Sequence, residues 1–265
     1  MTSNTRSQEG LVMNDGVIRY HTAGQVTTAV NGVSMWIRAG EVVGLVGESG
    51  CGKSTIAKAI CGLVPVASGE IRYNGMTIEP LGLKRRPVAL RTIQMVFQNP
   101  YASLNPRRRI GAQLEDARRI NPGTAPSVDD LLDMVDLPRD SAGLYPRQFS
   151  GGQRQRIAIA RAMATGPTLL IGDEPIASLD ASLQSKVALL MRDVAAKAGA
   201  ALLFISHDLA VVHLIADRIM VMHDGRIVER GETERIWNDP QDPYTRQLLS
   251  AIPIPDGLGH IPEVV

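Results

Sequence analysis

The chain has 265 residues, of which 44% are hydrophobic, and it is long enough to bury a substantial core in one large domain or two small ones. Its 28 basic and 27 acidic residues give a formal net charge of +1, which excludes a strong overall field that would recruit nucleic acid or an anionic membrane. No signal peptide is recognisable, and no apolar run approaches the roughly 18 residues of a spanning helix, so we expect a cytosolic protein. Cys51 and Cys61 are the only cysteines, which argues against a disulfide framework or a cysteine-built metal site.

The first part of the chain has mainly strand-like patterns. Residues 1–9 are polar, and we predict that they are disordered. A pair of strands is predicted from Leu11 to Ile37, with a turn near Ala23. A further β segment covers Glu70 to Ile78, and the apolar residues 93–97 are typical of a buried strand. We therefore expect an antiparallel β subdomain at the start.

A glycine-rich stretch from Gly47 to Ser54 interrupts this β-rich part. It reads GESGCGKS and fits the phosphate-binding pattern G-x-x-x-x-G-K-[ST]. An apolar strand pattern at residues 42–46 precedes it, and a helical pattern from Thr55 to Cys61 follows it. Glycines let successive N–H groups point inward, and the helix N-terminus adds a partial positive charge for an anion. The flanking strand and helix disfavour the alternative, a chance match in a glycine-rich connection.

The phosphate-binding pattern assigns a role to its two last residues. We predict that Lys53 reaches the β- and γ-phosphates of a nucleotide and that Ser54 ligates Mg²⁺. The predicted nucleotide-binding residues of this stretch are Gly47, Glu48, Ser49, Gly50, Cys51, Gly52, Lys53, Ser54 and Thr55. Cys51 is either a reactive thiol, because a helix N-terminus lowers a thiol pKa, or a small residue that fills the loop.

Helical patterns dominate between residues 100 and 165. Helices are predicted from Arg108 to Ile120 and from Ser127 to Val135, and the second begins with the pattern of a capping box that includes Asp130. Several prolines separate these helices. These helical patterns predict a helical subdomain inserted into the β-rich chain.

Strands and helices alternate after residue 167. Apolar strands at 168–171 and 201–206 flank a helix from Ala181 to Ala198. A hairpin is predicted at residues 219–229, with its turn at Asp224. Continuous apolar strands separated by helices are typical of a buried parallel sheet, so the fold class is α/β.

Two further stretches supply groups that a phosphate-transfer site needs. They read FSGGQRQRIAIARA at residues 149–162 and LLIGDEPIASLD at residues 169–180. Attack of water on a γ-phosphate needs a carboxylate for the metal and a second carboxylate for the water. Adjacent residues at the end of a buried strand point in different directions, so Asp173 can face Mg²⁺ while Glu174 faces the water. Taken alone, such a pair is usually an ordinary strand end.

At these motifs the chain resembles the ATP-binding cassette (ABC) ATPases, over nearly its whole length. The first stretch is similar to the family's signature sequence and the second to its Walker B strand, catalytic glutamate and D-loop. The resemblance implies a mostly parallel P-loop ATPase core at residues 10–240, with an antiparallel β subdomain and an inserted α-helical subdomain at about residues 100–165. Residues 241–265 would form a C-terminal extension.

The resemblance also implies a composite site in a head-to-tail dimer that binds ATP and Mg²⁺. The signature would contact a nucleotide held by the partner subunit. Taken alone, Ser-Gly-Gly before a helix would be a helix cap. The residues implied for this trans contact are Ser150, Gly151, Gly152, Gln153 and Asp180.

Three isolated residues complete the implied site. Gln98 follows a strand and resembles the Q-loop glutamine, His207 resembles the switch histidine near the γ-phosphate, and Tyr20 lies where the family stacks an aromatic ring on adenine. His21 is adjacent and offers an alternative ring. By the resemblance the catalytic residues are Lys53, Gln98, Glu174 and His207, and the metal ligands are Ser54, Gln98 and Asp173.

The sequence around the motifs resembles that of the ATPases of bacterial dipeptide, oligopeptide and nickel importers. The markers are FQNPYASLNPR (97–107), YPRQFSGGQRQRIAIARA (145–162) and, outside the catalytic core, DPYTRQLLSAIP (242–253). This implies a cytoplasmic subunit on the inner face of the membrane, attached to permease subunits near Gln98–Arg109, paired with a second ABC ATPase, and supplied by a solute-binding protein.

Two features depart from that branch, and one rival class stays open. The branch often carries a cysteine cluster after the PYT segment, whereas this chain has none, so we expect no iron–sulfur cluster. Gly172 stands where a bulkier apolar residue is common, at a cost in strand packing. The rival is an ABC ATPase of DNA repair, chromosome maintenance or translation, although no coiled coil, zinc module or second cassette is visible. The solute and the homo- or heteromeric state of the pair are not encoded in these motifs.

Overall fold

A computed structural model of the chain describes residues 10–22, 24–83, 86–121, 123 and 125–252. The tail predicted at residues 1–9, the turn residue Ala23 and the last part of the predicted C-terminal extension, residues 253–265, lie outside the described residues.

The strands of the described residues form two sheets. They are β1 Gly10–Thr22, β2 Gln25–Arg38, β3 Val42–Val46, β4 Ser68–Tyr73, β5 Met76–Thr77, β6 Ile93–Val96, β7 Leu169–Asp173, β8 Ala201–Ser206, β9 Arg218–His223 and β10 Arg226–Glu232. The smaller sheet has the order β2-β1-β4-β5 and is antiparallel. The larger has the order β10-β9-β3-β8-β7-β6 and is parallel except for its edge pair β9–β10.

Helices connect the strands and cover the larger sheet. They are α1 Lys53–Ile60, α2 Val88–Arg91, α3 Pro100–Ser103, α4 Ile110–Arg118, α5 Val128–Met134, α6 Gly151–Met163, α7 Ala181–Lys197, α8 Leu209–Ile215, α9 Thr233–Asn238 and α10 Pro243–Ser250, with short 3₁₀ turns at Arg139–Gly143 and Pro146–Gln148. Within the described residues, no helix is long and apolar enough to cross a membrane.

The hydrophobic core lies on both faces of the larger sheet. Successive strand side chains point to opposite faces, so Leu203 and Ile205 of β8 pack with α1 and the smaller sheet, while Leu202 and Phe204 pack with α4 to α8. Strand β8 is buried at every position, as the continuous apolar run predicted. The carboxyl ends of β3, β7 and β8 meet at one edge of the sheet.

Most predicted elements are confirmed, including the α/β class, the antiparallel β part and the edge hairpin. Ser127 caps α5 in the predicted capping box, with Asp130 as its partner. Helix α8 was not predicted; Asp208 caps it through hydrogen bonds from the Ala210 and Val211 backbone N–H groups. Helices α3 to α6 lie in the region predicted as an inserted helical subdomain, and the domain boundaries remain predictions.

Gly172 in β7 has a packing reason that its sequence context did not give. A Cβ atom at this position would lie 3.0 Å from both the Met191 methyl group of α7 and the Pro175 ring. The space that a larger side chain would fill is therefore already occupied by its neighbours.

Candidate functional site

The glycine-rich loop at residues 47–52 joins β3 to α1, as predicted. Gly47 has φ 150° and Gly52 has φ 111°, values that other residues rarely adopt. A Cβ at Gly47 would lie 2.1 Å from the Met222 carbonyl oxygen, and one at Gly52 would lie 2.3 Å from the Ala29 carbonyl oxygen. These two glycines are required by close backbone contact as well as by conformation.

Lys53 fills the centre of this loop. Its side chain is only 4% exposed, and its Nζ donates hydrogen bonds to the carbonyl oxygens of Gly47 at 2.6 Å and Glu48 at 2.8 Å. The same nitrogen lies 3.8 Å from Glu174 Oε1. Two carbonyl oxygens and a nearby carboxylate therefore hold the ammonium group at a fixed position in the loop. A cation fixed in this way can serve as a contact for a bound anion.

Ser54 and Asp173 form an oxygen pair beside the loop. Ser54 Oγ donates a hydrogen bond of 2.6 Å to Asp173 Oδ1 across 119 residues of sequence. Asp173 is the last residue of β7, and its burial raises its pKa, although the Ser54 hydrogen bond acts in the opposite direction. Hydroxyl and carboxylate oxygens are hard donors that suit Mg²⁺, and a buried carboxylate gains most from a nearby cation.

Glu174 occupies a strained backbone position next to the cavity. Its φ is 49°, and the other described non-glycine residues with positive φ are all Asp or Asn, which tolerate this region better. The Glu174 N–H donates to the Ile205 carbonyl at 3.0 Å, which fixes the turn after β7. The Glu174 side chain is 12% exposed, and its Oε2 lies 2.8 Å from His207 Nδ1. Strain of this kind is concentrated at functional sites.

These groups surround one open cavity of 310 Å³. It is lined by Ser49, Gly50, Gly52, Lys53, Ser54, Thr55, Gln98, Glu174 and His207, all of which were predicted as site residues. Gln98 is exposed and follows β6, so it approaches the cavity from the strand at the sheet edge. Tyr20 lies near the loop, with its hydroxyl 3.3 Å from Thr55 Oγ1.

The predicted signature residues lie outside this cavity's lining. Ser150 caps α6: its Oγ accepts a hydrogen bond from the Gln153 N–H, and the Gln153 side chain accepts one from the Ser150 N–H. Apart from its chain neighbours and the backbone of its own helix, no atom of the described residues lies within 4 Å of where a Gly151 Cβ would be, so packing among these residues does not explain the glycine. Asp180 stands before α7 and is exposed.

The interpretation of Cys51 as a thiol with a lowered pKa is wrong. Cys51 is buried, and this burial raises the pKa of its thiol more than the nearby charge of Lys53 lowers it. Of the two alternatives, the loop-filling one agrees with the structure, because the Cys51 sulfur would lie 3.0 Å from a Cβ at Gly47.

One contact to the loop comes from a residue that the sequence did not single out. The backbone N–H of Glu48 donates a hydrogen bond of 2.9 Å to the hydroxyl of Tyr244, at the start of α10. The Tyr244 ring packs on His223, with ring centroids 4.0 Å apart. Tyr244 belongs to the DPYT segment, whose sequence is a marker of the importer branch. Nothing in the sequence indicated its contact with Glu48.

Comparison with known proteins assigns the family. The sequence model of the ABC transporter family matches residues 30–177, and the chain belongs to this family as an ATPase cassette. It is 46% identical over 230 residues to the oligopeptide transport ATP-binding protein OppF of Lactococcus lactis, covering 85% of this chain and 72% of that protein. A putative peptide import ATP-binding protein of Brucella abortus is 42% identical over 272 residues, covering 96% of this chain and 81% of the relative.

Solved structures agree with the assignment. The dimeric, post-hydrolysis structure of the ATP-binding cassette MJ0796, bound to ADP and Pi, matches with a TM-score of 0.72 and 27% identity, covering 84% of this chain and 98% of that one. The structure of cbiO1 from Clostridium perfringens, part of the ABC transporter complex cbiONQ, matches with a TM-score of 0.71 and 26% identity. The match covers 86% of this chain and 90% of that one. The predicted family and fold class are therefore confirmed.

Proposed function

We propose that the cavity at residues 47–55 is the site where this ATPase binds and hydrolyses ATP to drive the import of peptides through a separate permease. The observation that carries the proposal is the convergence of Lys53, Ser54 and the Glu174–His207 pair on one cavity, with Asp173 hydrogen-bonded to Ser54 beside it. The names of the relatives from Lactococcus and Brucella support the peptide as the transported class.

The side chains divide the chemistry among them. Lys53 keeps its two carbonyl partners, directs its third N–H to the phosphate oxygens and neutralises charge that develops there. Glu174 accepts a proton from the attacking water, and His207 holds the carboxylate in position through its Nδ1. Mg²⁺ would be held by Ser54, Asp173 and Gln98, and when bound it neutralises phosphate charge as a Lewis acid.

The signature face of α6 serves a second subunit in this proposal. The described residues leave open space at the Gly151 Cβ position, so an anion from outside the chain can approach the first turn of α6 beside the Gln153 N–H that Ser150 caps. The cavity at Lys53 and the signature residues lie apart, so one nucleotide does not use both. Two chains arranged head to tail would pair each cavity with the partner's signature.

A groove next to the cavity is the proposed contact with the permease, on the cytoplasmic side of the membrane. It has a volume of 350 Å³ and lies between the end of β6 and helices α4 and α6. Its lining includes Phe97, which is 38% exposed, and Arg108, which forms an ion pair with Asp116. Arg108 is thereby neutralised locally, which argues against a nucleic-acid patch in this loop.

The ATPase part of the proposal is tested by exchanging the central lysine. Lys53→Ala should weaken ATP binding and abolish phosphate release, whereas Lys186→Ala, at an exposed position of α7, should change neither. Equal phosphate release by both variants would contradict the role of Lys53.

The transport part is tested by purification from native membranes. Phe97→Asp should bind ATP normally but lose co-purifying permease, whereas Leu189→Asp, with a similar exposure of 37%, should retain it. Ribosomal or DNA-repair proteins in place of a permease, identified by mass spectrometry, would favour the rival class of ABC ATPase.

A further inference from the structure

The phosphate-binding loop is held from outside by the C-terminal part of the chain. Tyr244 accepts a hydrogen bond from the Glu48 N–H at 2.9 Å, across 196 residues of sequence. The hydroxyl is protonated at neutral pH, as in any tyrosine, and burial raises its pKa further. We propose that Tyr244 is a positioning residue for ATP binding: it fixes the peptide unit between Gly47 and Glu48, and this peptide unit positions Lys53.

The geometry of one peptide unit connects the two residues. The carbonyl of Gly47 and the N–H of Glu48 belong to the same planar, trans peptide group, so they point in opposite directions. The carbonyl accepts a hydrogen bond from Lys53 Nζ at 2.6 Å inside the loop, and the N–H donates to Tyr244 outside it. Rotation of this plane would therefore break both contacts together. Gly47 has φ 150° and no side chain, so its own backbone offers little resistance to such a rotation.

Tyr244 is itself fixed by the residues before it. Glu229 of β10 accepts hydrogen bonds from the backbone N–H groups of Gln241 at 2.9 Å and Asp242 at 3.0 Å. Asp242 then caps α10 by accepting a hydrogen bond of 2.9 Å from the Tyr244 N–H. The Glu229 side chain is 5% exposed and also contacts Arg235 at 3.2 Å. A buried carboxylate thus ties the start of α10 to the edge of the larger sheet.

The β9–β10 hairpin completes this outer support. The Gly225 N–H in its turn donates to the Cys51 carbonyl at 3.1 Å, and the His223 ring packs against the Tyr244 ring. Both ends of the loop are therefore attached to the last third of the chain. The structure gives each residue of the Asp-Pro-Tyr-Thr segment a role. Asp242 caps α10, Pro243 is the first residue of the helix, Tyr244 contacts the loop and Thr245 is fully buried.

The inference rests on the proposed ATP site and deepens it. A loop whose peptide units are already oriented loses less conformational freedom when a nucleotide binds. Without the hydroxyl, the Gly47–Glu48 plane samples other orientations, and Lys53 is less often in the position that meets phosphate. Such a loss acts on the bound ground state and the transition state alike, so it raises KM and leaves kcat nearly unchanged.

The test compares two tyrosine-to-phenylalanine variants in the complete chain. Tyr244→Phe keeps the ring on His223 and removes only the hydroxyl. Tyr73→Phe is the matched control, because its hydroxyl donates to Thr168 at 2.6 Å, a contact that involves no residue of the loop. Tyr244→Phe should raise the KM and the Kd for ATP about fivefold, the effect of one lost hydrogen bond, with kcat within about twofold of the unmodified chain. Tyr73→Phe should lower Tm without changing KM.

Amide hydrogen exchange at Glu48 gives a second readout that does not need ATP. The Glu48 N–H should exchange faster in Tyr244→Phe than in Tyr73→Phe, while the amides of β8 stay equally protected in both. Unchanged KM together with unchanged exchange at Glu48 would overturn the positioning role. ATP binding by the unmodified chain separates the two hypotheses: if it is absent, the proposed function fails and the inference with it, whereas normal binding with identical variants overturns the inference alone.

Discussion

Exchange of Glu174 for glutamine should stop ATP turnover while preserving ATP binding. The amide has the shape of the carboxylate and can still hydrogen-bond the His207 ring, now 2.8 Å from Oε2, but it cannot accept the proton of the attacking water. A positioned base contributes about 100-fold to 10,000-fold in rate, which corresponds to about 2.7–5.5 kcal/mol of activation free energy. ATP binding should hold or become tighter, because the substitution removes a negative charge 3.8 Å from Lys53.

The measurement is phosphate release under saturating ATP, with equilibrium ATP binding measured on the same preparation. Glu234→Gln is the matched control: it makes the same chemical change on α9, where the side chain is 76% exposed. The control should retain the full rate. Turnover of Glu174→Gln within about threefold of the unmodified chain, in the assembled transporter, would refute the assignment of Glu174 as the base.

Three further experiments test other parts of the structure. Gly172→Val should lower the free energy of unfolding by about 1–3 kcal/mol through overpacking against Met191, and adding Met191→Ala should recover part of it in urea titrations. Ser150→Arg, in a verified dimer, should abolish phosphate release without lowering ATP binding, and unaffected hydrolysis would contradict the trans contact. Burial raises the pKa of the Cys51 thiol and raises that of Cys61 to about 12, so at pH 8 the folded chain holds less thiolate at both residues than the unfolded chain. Iodoacetamide should therefore label both cysteines far more slowly in the folded than in the unfolded chain.

The sequence predicted those parts of the fold that depend on local pattern. The parallel strand β8 is a continuous apolar run, and the phosphate-binding loop has a fixed spacing of glycines and lysine between a strand and a helix. Ser127 and Asp130 predicted the start of α5 for the same reason, because a capping box is formed by residues three apart. Helix α8 has two adjacent valines, Val211 and Val212, whose branched side chains weaken a helical pattern.

The remaining features depend on contacts between distant residues. The Tyr244 contact to Glu48 joins two segments that have no pattern in common, and no spacing rule connects them. Of the two alternatives for Cys51, the one with a lowered thiol pKa is wrong because the helix N-terminus is visible in the sequence, whereas the burial that outweighs it depends on the complete fold. The motifs and the family resemblance predicted the site residues at the ends of β3, β7 and β8 as a set, and the structure brings these strand ends together because the carboxyl ends of parallel strands meet at one edge.

The strained backbone conformation of Glu174 lowers the stability of the fold at a position whose carboxylate the proposed activity requires. A glutamate at φ 49° carries about 1 kcal/mol or more of conformational strain, which asparagine bears at lower cost and glycine avoids. Any selection that rewards only resistance to unfolding should therefore remove the carboxylate from this turn. In a library randomised at residue 174 and sorted for thermal stability alone, we expect asparagine and glycine to accumulate, whereas sorting for phosphate release should return glutamate.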